Sequence, residues 1–236
     1  MKIAHIFGKR GMGDIVEGIS SFFTLGLDTD CHIIFHYPAN HNYEKLIPSL
    51  MDAFEPPPYN ITYEIDHTWS SVTKDRGEVK FGKEKFWKKT SQVDETVWFS
   101  GSYQKIGYWP FKRQWKGNNH GPIAFALNHK DFNANHPIVE KFFDVEENER
   151  LRGLVDNKRF FELGDHHSFE LNLKIIANCK YIVGIEGGWT HVSHCMRAPF
   201  VVVTNKRKRS VSLAVHSRHP SLRVIEAAAV DRYILT

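Results

Sequence analysis

Long hydrophobic runs are what this sequence most plainly lacks. No apolar stretch approaches the roughly 18 residues that a membrane span requires. The opening MKIAHIFGKRGMGD breaks into glycines after about seven residues, too soon for the apolar core of a secretory signal. Cysteine is scarce as well. Cys31, Cys179 and Cys195 are an odd number with no CxxC spacing, which argues against a disulfide framework and for reduced thiols in a cytoplasm. HExxH and Cys/His quartet spacings are missing too. Asp165, His166 and His167, or His191 with His194, can be drawn as a zinc site, but neither set has the spacing of a ligand motif. We therefore expect no metal. No repeat of fixed period and no low-complexity segment is present.

What remains is an ordinary globular composition. The chain has 236 residues, 42% apolar and 25% charged, room for one large domain or two small ones. The net charge of +4 is unevenly spread. Residues 74–89, KDRGEVKFGKEKFWKK, carry a local +4, and KRKR at 206–209 carries another, so the rest of the chain is net acidic. Two basic patches on an acidic body fit anionic ligands better than a general nucleic-acid surface. A solvated charged loop accounts for the first patch equally well.

Periodicity organises the chain. KIAHIF (2–7) reads as a strand that ends in the glycine turn GKRGMGD. From Asp14 the pattern DIVEGISSFFTLGL is apolar at helical spacing, and DIVE has the form of a capping box with Asp14 at the N-cap and Glu17 at N3. Strand CHIIFHY (31–37), a helix over 42–54 with a bend expected at Pro48, and strand NITYEI (60–65) follow. This β-α-β-α-β order predicts a parallel sheet with helices on its faces. Residues 66–120 hold five of the six tryptophans and little pattern, with a helix or two and a strand at 96–100 expected. Phe86, Trp87, Tyr108 and Trp109 in this stretch either pack as core or stack on sugar rings. The parallel rhythm resumes with PIAFAL (122–127), a helix over 136–155, strand RFFELG (159–164), helix SFELNLKIIANC (168–179), strand YIVGI (181–185), a helix from about Trp189, strand FVVVT (200–204) and a last strand near RVIEA. The expected fold class is α/β, two small Rossmann-like parallel-sheet domains, 1–115 and 116–236.

Ligands of such sheets bind outside the carboxyl ends of the strands. That rule directs attention to Glu186, Gly187 and Gly188, which follow YIVGI directly. Glycines permit a sharp turn and a close ligand approach. The helix beyond points its N–H groups and positive dipole end at the same spot, which suits a diphosphate. Thr190 and His191 in its first turn can donate to an anion or a ribose. An acid beside a phosphate would repel it, so Glu186 is better suited to accept hydrogen bonds from sugar hydroxyls. A capped helix after a buried strand explains the same residues without a ligand.

The segment VGIEGGWTHVSHCMRAPFVVV resembles the C-terminal motif of glycosyltransferase family 9, the ADP-heptose:lipopolysaccharide heptosyltransferases, V-G-N-D-S-G-P-M-H-L-A-A-A-L-G-T-P-V-V. Gly184, Gly188, His191 and Pro199 match in register. Glu186 stands where the family has Asp, Gly187 where it has Ser, and Thr190 where it has Met. The likeness extends over roughly residues 160–204. GMGDIVEGIS near the start resembles the family's first loop, G-x-G-D, with Gly11 and Gly13 in the loop and Asp14 in the place of the general base. A sugar hydroxyl is a poor nucleophile near neutral pH, and a carboxylate within about 3 Å can take its proton as the new bond forms. The family's lysine-Trp-Pro segment is absent. After PIAFAL come Asn128, His129 and Lys130, the nearest candidates for donor phosphate contacts, and Lys206 and Arg207 follow strand FVVVT.

The resemblance implies a GT-B fold and transfer of a sugar from a nucleotide-diphosphate sugar to a saccharide or lipid-linked glycan, with inversion, with neither cofactor nor metal. It further implies a cytoplasmic protein with at most peripheral membrane contact. Two rivals share the fold. One is a sugar-nucleotide epimerase, since the acid-Gly-Gly turn recurs in UDP-N-acetylglucosamine 2-epimerases. The other is a degenerate protein that binds nucleotide-sugar or glycan without turnover, which the short chain and the missing segment favour.

Overall fold

The computed structural model describes residues 2–7, 12–24, 30–36, 44–67, 87–89, 95–99, 108–126, 146, 149–150, 153, 160–185, 187–204 and 223–226. The chain divides into two compact units, Met1–Lys112 and Arg113–Thr236.

In the first unit, β1 (Lys2–Phe7), β2 (Cys31–His36), β3 (Ile61–Asp66), β4 (Trp87–Lys89) and β5 (Glu95–Phe99) form one sheet in the order β3-β2-β1-β5-β4. All pairings are parallel except that of β4 with β5. Strand β2 buries Cys31, Ile33 and Phe35, the alternation a pleated strand requires. Helix α1 (Met12–Thr24) buries Ile15, Val16, Ile19 and Phe23, a stripe at i, i+1, i+4 and i+8.

Two details differ from the sequence expectation. Helix α1 starts at Met12, so Asp14 is its third residue and not the N-cap. Residues 44–53 form a 3-10 turn (Glu44–Leu46) and then α2 (Ile47–Ala53), with Pro48 in the first turn of α2. There its missing N–H costs no helical hydrogen bond, so Pro48 starts the helix and does not bend it.

Beyond α2, Phe54 packs edge-on to Phe111 at 4.6 Å and to Phe23 at 5.4 Å. The segment 108–112 is laid on this cluster. Glu55 N donates to the Pro110 carbonyl (2.9 Å), Lys112 N to that of Ala53 (2.8 Å) and Trp109 Nε1 to that of Glu55 (2.8 Å), while Trp109 N donates to Ser20 Oγ. Trp109 is thus packing material. Residues 113–116, next along the chain, bond into the second unit: Trp115 N to the Met196 carbonyl, Lys116 N to that of Ala177 and Gln114 Nε2 to that of Cys195.

The second unit is an all-parallel sheet of β6 (Ile123–Ala126), β7 (Phe160–Glu162), β8 (Tyr181–Gly184), β9 (Phe200–Thr204) and β10 (Arg223–Glu226), ordered β10-β9-β8-β6-β7. Strand β6 is buried throughout, as a central parallel strand covered on both faces must be. Helix α3 (Phe169–Asn178) is capped by Ser168, whose Oγ accepts from Leu171 N at 3.2 Å. Buried Asn172 ties the preceding loop to the helix, accepting from Gly164 N (3.1 Å) and donating to the carbonyls of Gly164 and Ser168. Helix α4 (Gly188–Met196) buries every residue from Thr190 to Met196 and ends on Arg197 in the left-handed region (φ 56°). All three cysteines are buried and unpaired by disulfide. The expected helix over 136–155 lies almost wholly outside the described residues.

Candidate functional site

Strand order locates the site. From β6 the chain goes to β7 on one side, then returns to β8 on the other side of β6 and continues outward through β9 to β10. The order therefore reverses between β6 and β8, and a crevice opens at such a switch point beyond the carboxyl ends of the two strands. The turn after β8 and the first turn of α4 flank that crevice. In the first sheet the reversal falls between β1 and β5, and the chain that leaves β1 leads to α1 and Asp14.

The two glycines around the β8 turn behave differently. A Cβ on Gly184 would sit 2.5 Å from the Ala126 carbonyl oxygen and 2.6 Å from Ala126 Cβ, so only glycine lets the ends of β8 and β6 approach as they do. Gly187 is extended (φ 178°), a conformation open to any residue, and among the described residues a Cβ there would meet nothing within 4 Å. Its glycine is not required by the turn. Among the described residues it borders open space in front of α4.

Thr190 holds the turn together. Its hydroxyl accepts from Gly187 N (3.1 Å) and donates to the Ile185 carbonyl (3.4 Å), and its own N–H donates to the Gly187 carbonyl (3.0 Å). The Thr190 hydroxyl, fully buried, thus shapes the helix start. His191 is buried one position further into α4, with His194 three residues on. Gly188 is the first helical residue and Gly13 the second residue of α1. Gly11, Asn128, His129, Lys130, Glu186, Lys206 and Arg207 lie outside the described residues.

Sequence reasoning missed an aromatic pair. Phe169, the first residue of α3, stacks on Trp189, the second of α4, with centroids 6.3 Å apart and planes 22° from parallel. Both helices start at the carboxyl edge of the sheet, so the pair lies on the ligand side. An aromatic in the first turn after a strand was the available signal, but only tertiary structure joins the two. In the β7–α3 loop the rings of His166 and His167 lie 4.1 Å apart. Desolvation and the neighbouring imidazole hold the His167 pKa below its ordinary value, with Glu162 pulling the other way. Burial pushes the Cys179 thiol up to about 12, so it stays protonated and inert. Among the described residues no three His, Cys, Asp or Glu side chains are grouped to hold a metal ion, and no helix is long and apolar enough to cross a membrane.

Two α/β units, one sheet all parallel and the other parallel but for one edge strand, have the fold class of the GT-B type. Solved structures that the chain resembles include two heptosyltransferases of E. coli. WaaC with ADP matches at a TM-score of 0.51 and 10% identity over 100% of this chain and 99% of that one. ADP-heptose LPS heptosyltransferase II matches at 0.53 and 14% identity, over 95% and 90%. At such identities the likeness is one of fold. No family model and no curated protein matches the sequence.

Proposed function

We propose that the protein is a glycosyltransferase that takes a sugar from a nucleotide-diphosphate sugar and passes it, with inversion, to a saccharide or lipid-linked glycan. One observation supports the reading: Gly187 and Gly188, in the segment that resembles the heptosyltransferase motif, follow β8 at the switch point of the second sheet. In this reading the diphosphate sits against the amino end of α4, in the space that Gly187 leaves open, and Glu186 accepts from hydroxyls of the ribose or sugar. Asn128, His129, Lys130 and Lys206 supply further donor contacts. The Phe169–Trp189 stack is available to a base or sugar face. Because the WaaC structure is one with ADP, an adenosine diphosphate sugar is the first donor to try.

The reaction is a single displacement. The acceptor oxygen bonds to the anomeric carbon as the bond to the diphosphate breaks and its electron pair leaves with the diphosphate. The hydroxyl proton passes to Asp14, the base the resemblance implies. Helix N–H groups and cationic side chains then meet the charge that grows on the leaving group. The proposed chemistry calls on no cofactor, and the reading goes with a cytoplasmic protein that has at most peripheral membrane contact.

A thermal-shift panel of ADP, GDP, UDP, CDP and their sugar conjugates, on wild type and Glu186→Ala, tests the donor site. A ligand at 100 times its dissociation constant stabilises the fold by about 2.7 kcal/mol. A selective shift that Glu186→Ala weakens supports the proposal, and the absence of any shift overturns it. With a donor in hand, Asp14→Ala should abolish transfer while retaining the shift. Transfer that survives this change removes Asp14 as the base.

A further inference from the structure

We draw no further inference here: the strongest candidate, the Phe169–Trp189 stack at the first turns of α3 and α4, belongs to the donor site already proposed, and nothing among the described residues shows what covers it.

Discussion

Gly184 and Gly187 lie three residues apart around one turn, and the same substitution should cost much at the first and little at the second. In Gly184→Ala the new methyl would stand 2.5 Å from the Ala126 carbonyl oxygen and 2.6 Å from Ala126 Cβ. Carbon contacts prefer about 3.5–4.0 Å, so the strand ends must part by about 1 Å. Neither neighbour is the far end of a flexible side chain, so the cost belongs in the upper part of the overpacking range of about 1–3 kcal/mol. Alanine recovers about 0.4–1 kcal/mol by restricting the unfolded chain. The net is a loss of about 2 kcal/mol, or about 4–8 °C in melting temperature at about 2–4 °C per kcal/mol. For Gly187→Ala no atom of the described residues lies within 4 Å and the backbone is extended. Here the gain from the unfolded chain and the poorer N-cap preference of alanine nearly cancel, leaving about 0.5 kcal/mol or less. Thermal unfolding followed by far-UV circular dichroism reads both values. Equal losses at the two positions, or a larger loss at Gly187, would refute the argument that packing fixes the first glycine and that the second borders open space.

Three further outcomes follow from the same geometry. Arg197→Gly relieves an exposed left-handed residue (φ 56°) at the end of α4 and should raise stability by about 0.5–1 kcal/mol, measured by urea unfolding. Asn172→Ala strands the buried N–H of Gly164; it should cost about 1–3 kcal/mol and speed hydrogen exchange at the Gly164 amide. The lowered pKa of His167, set first by desolvation and then by His166, means that the unfolded chain binds a proton more readily than the folded one. Its contribution to stability is complete above the ordinary imidazole value of 6.5 and is lost as pH falls from there through the folded pKa. His167→Gln should flatten that part of the stability–pH curve, and an unchanged curve would remove the assignment.

Strands with continuous apolar runs were legible in the sequence to the residue, as β1 (Lys2–Phe7) and β9 (Phe200–Thr204) show. Strand β4 was not, because Trp87–Lys89 lies in a basic run without alternation and is defined by its pairing to β5. The start of α1 was misplaced by two residues because Asp14 and Glu17 mimic a capping box that the helix does not use. The same logic divides the candidate site. The glycine turn could be found because strand, turn and helix are contiguous in the chain. Phe169 and Trp189 meet across two helix starts, a relation that no local pattern encodes.

The burial of Cys31, Cys179 and Cys195 has a practical corollary. With every native thiol shielded, and Cys179 held protonated up to a pKa of about 12, the folded chain should be nearly inert to thiol-directed dyes. A cysteine substituted at exposed Asp165, in the loop at the carboxyl edge of the second sheet, would then be the preferred attachment point without removal of the others. A fluorophore there would make the arrival of a nucleotide at that edge visible as a change in emission, in solution and in real time.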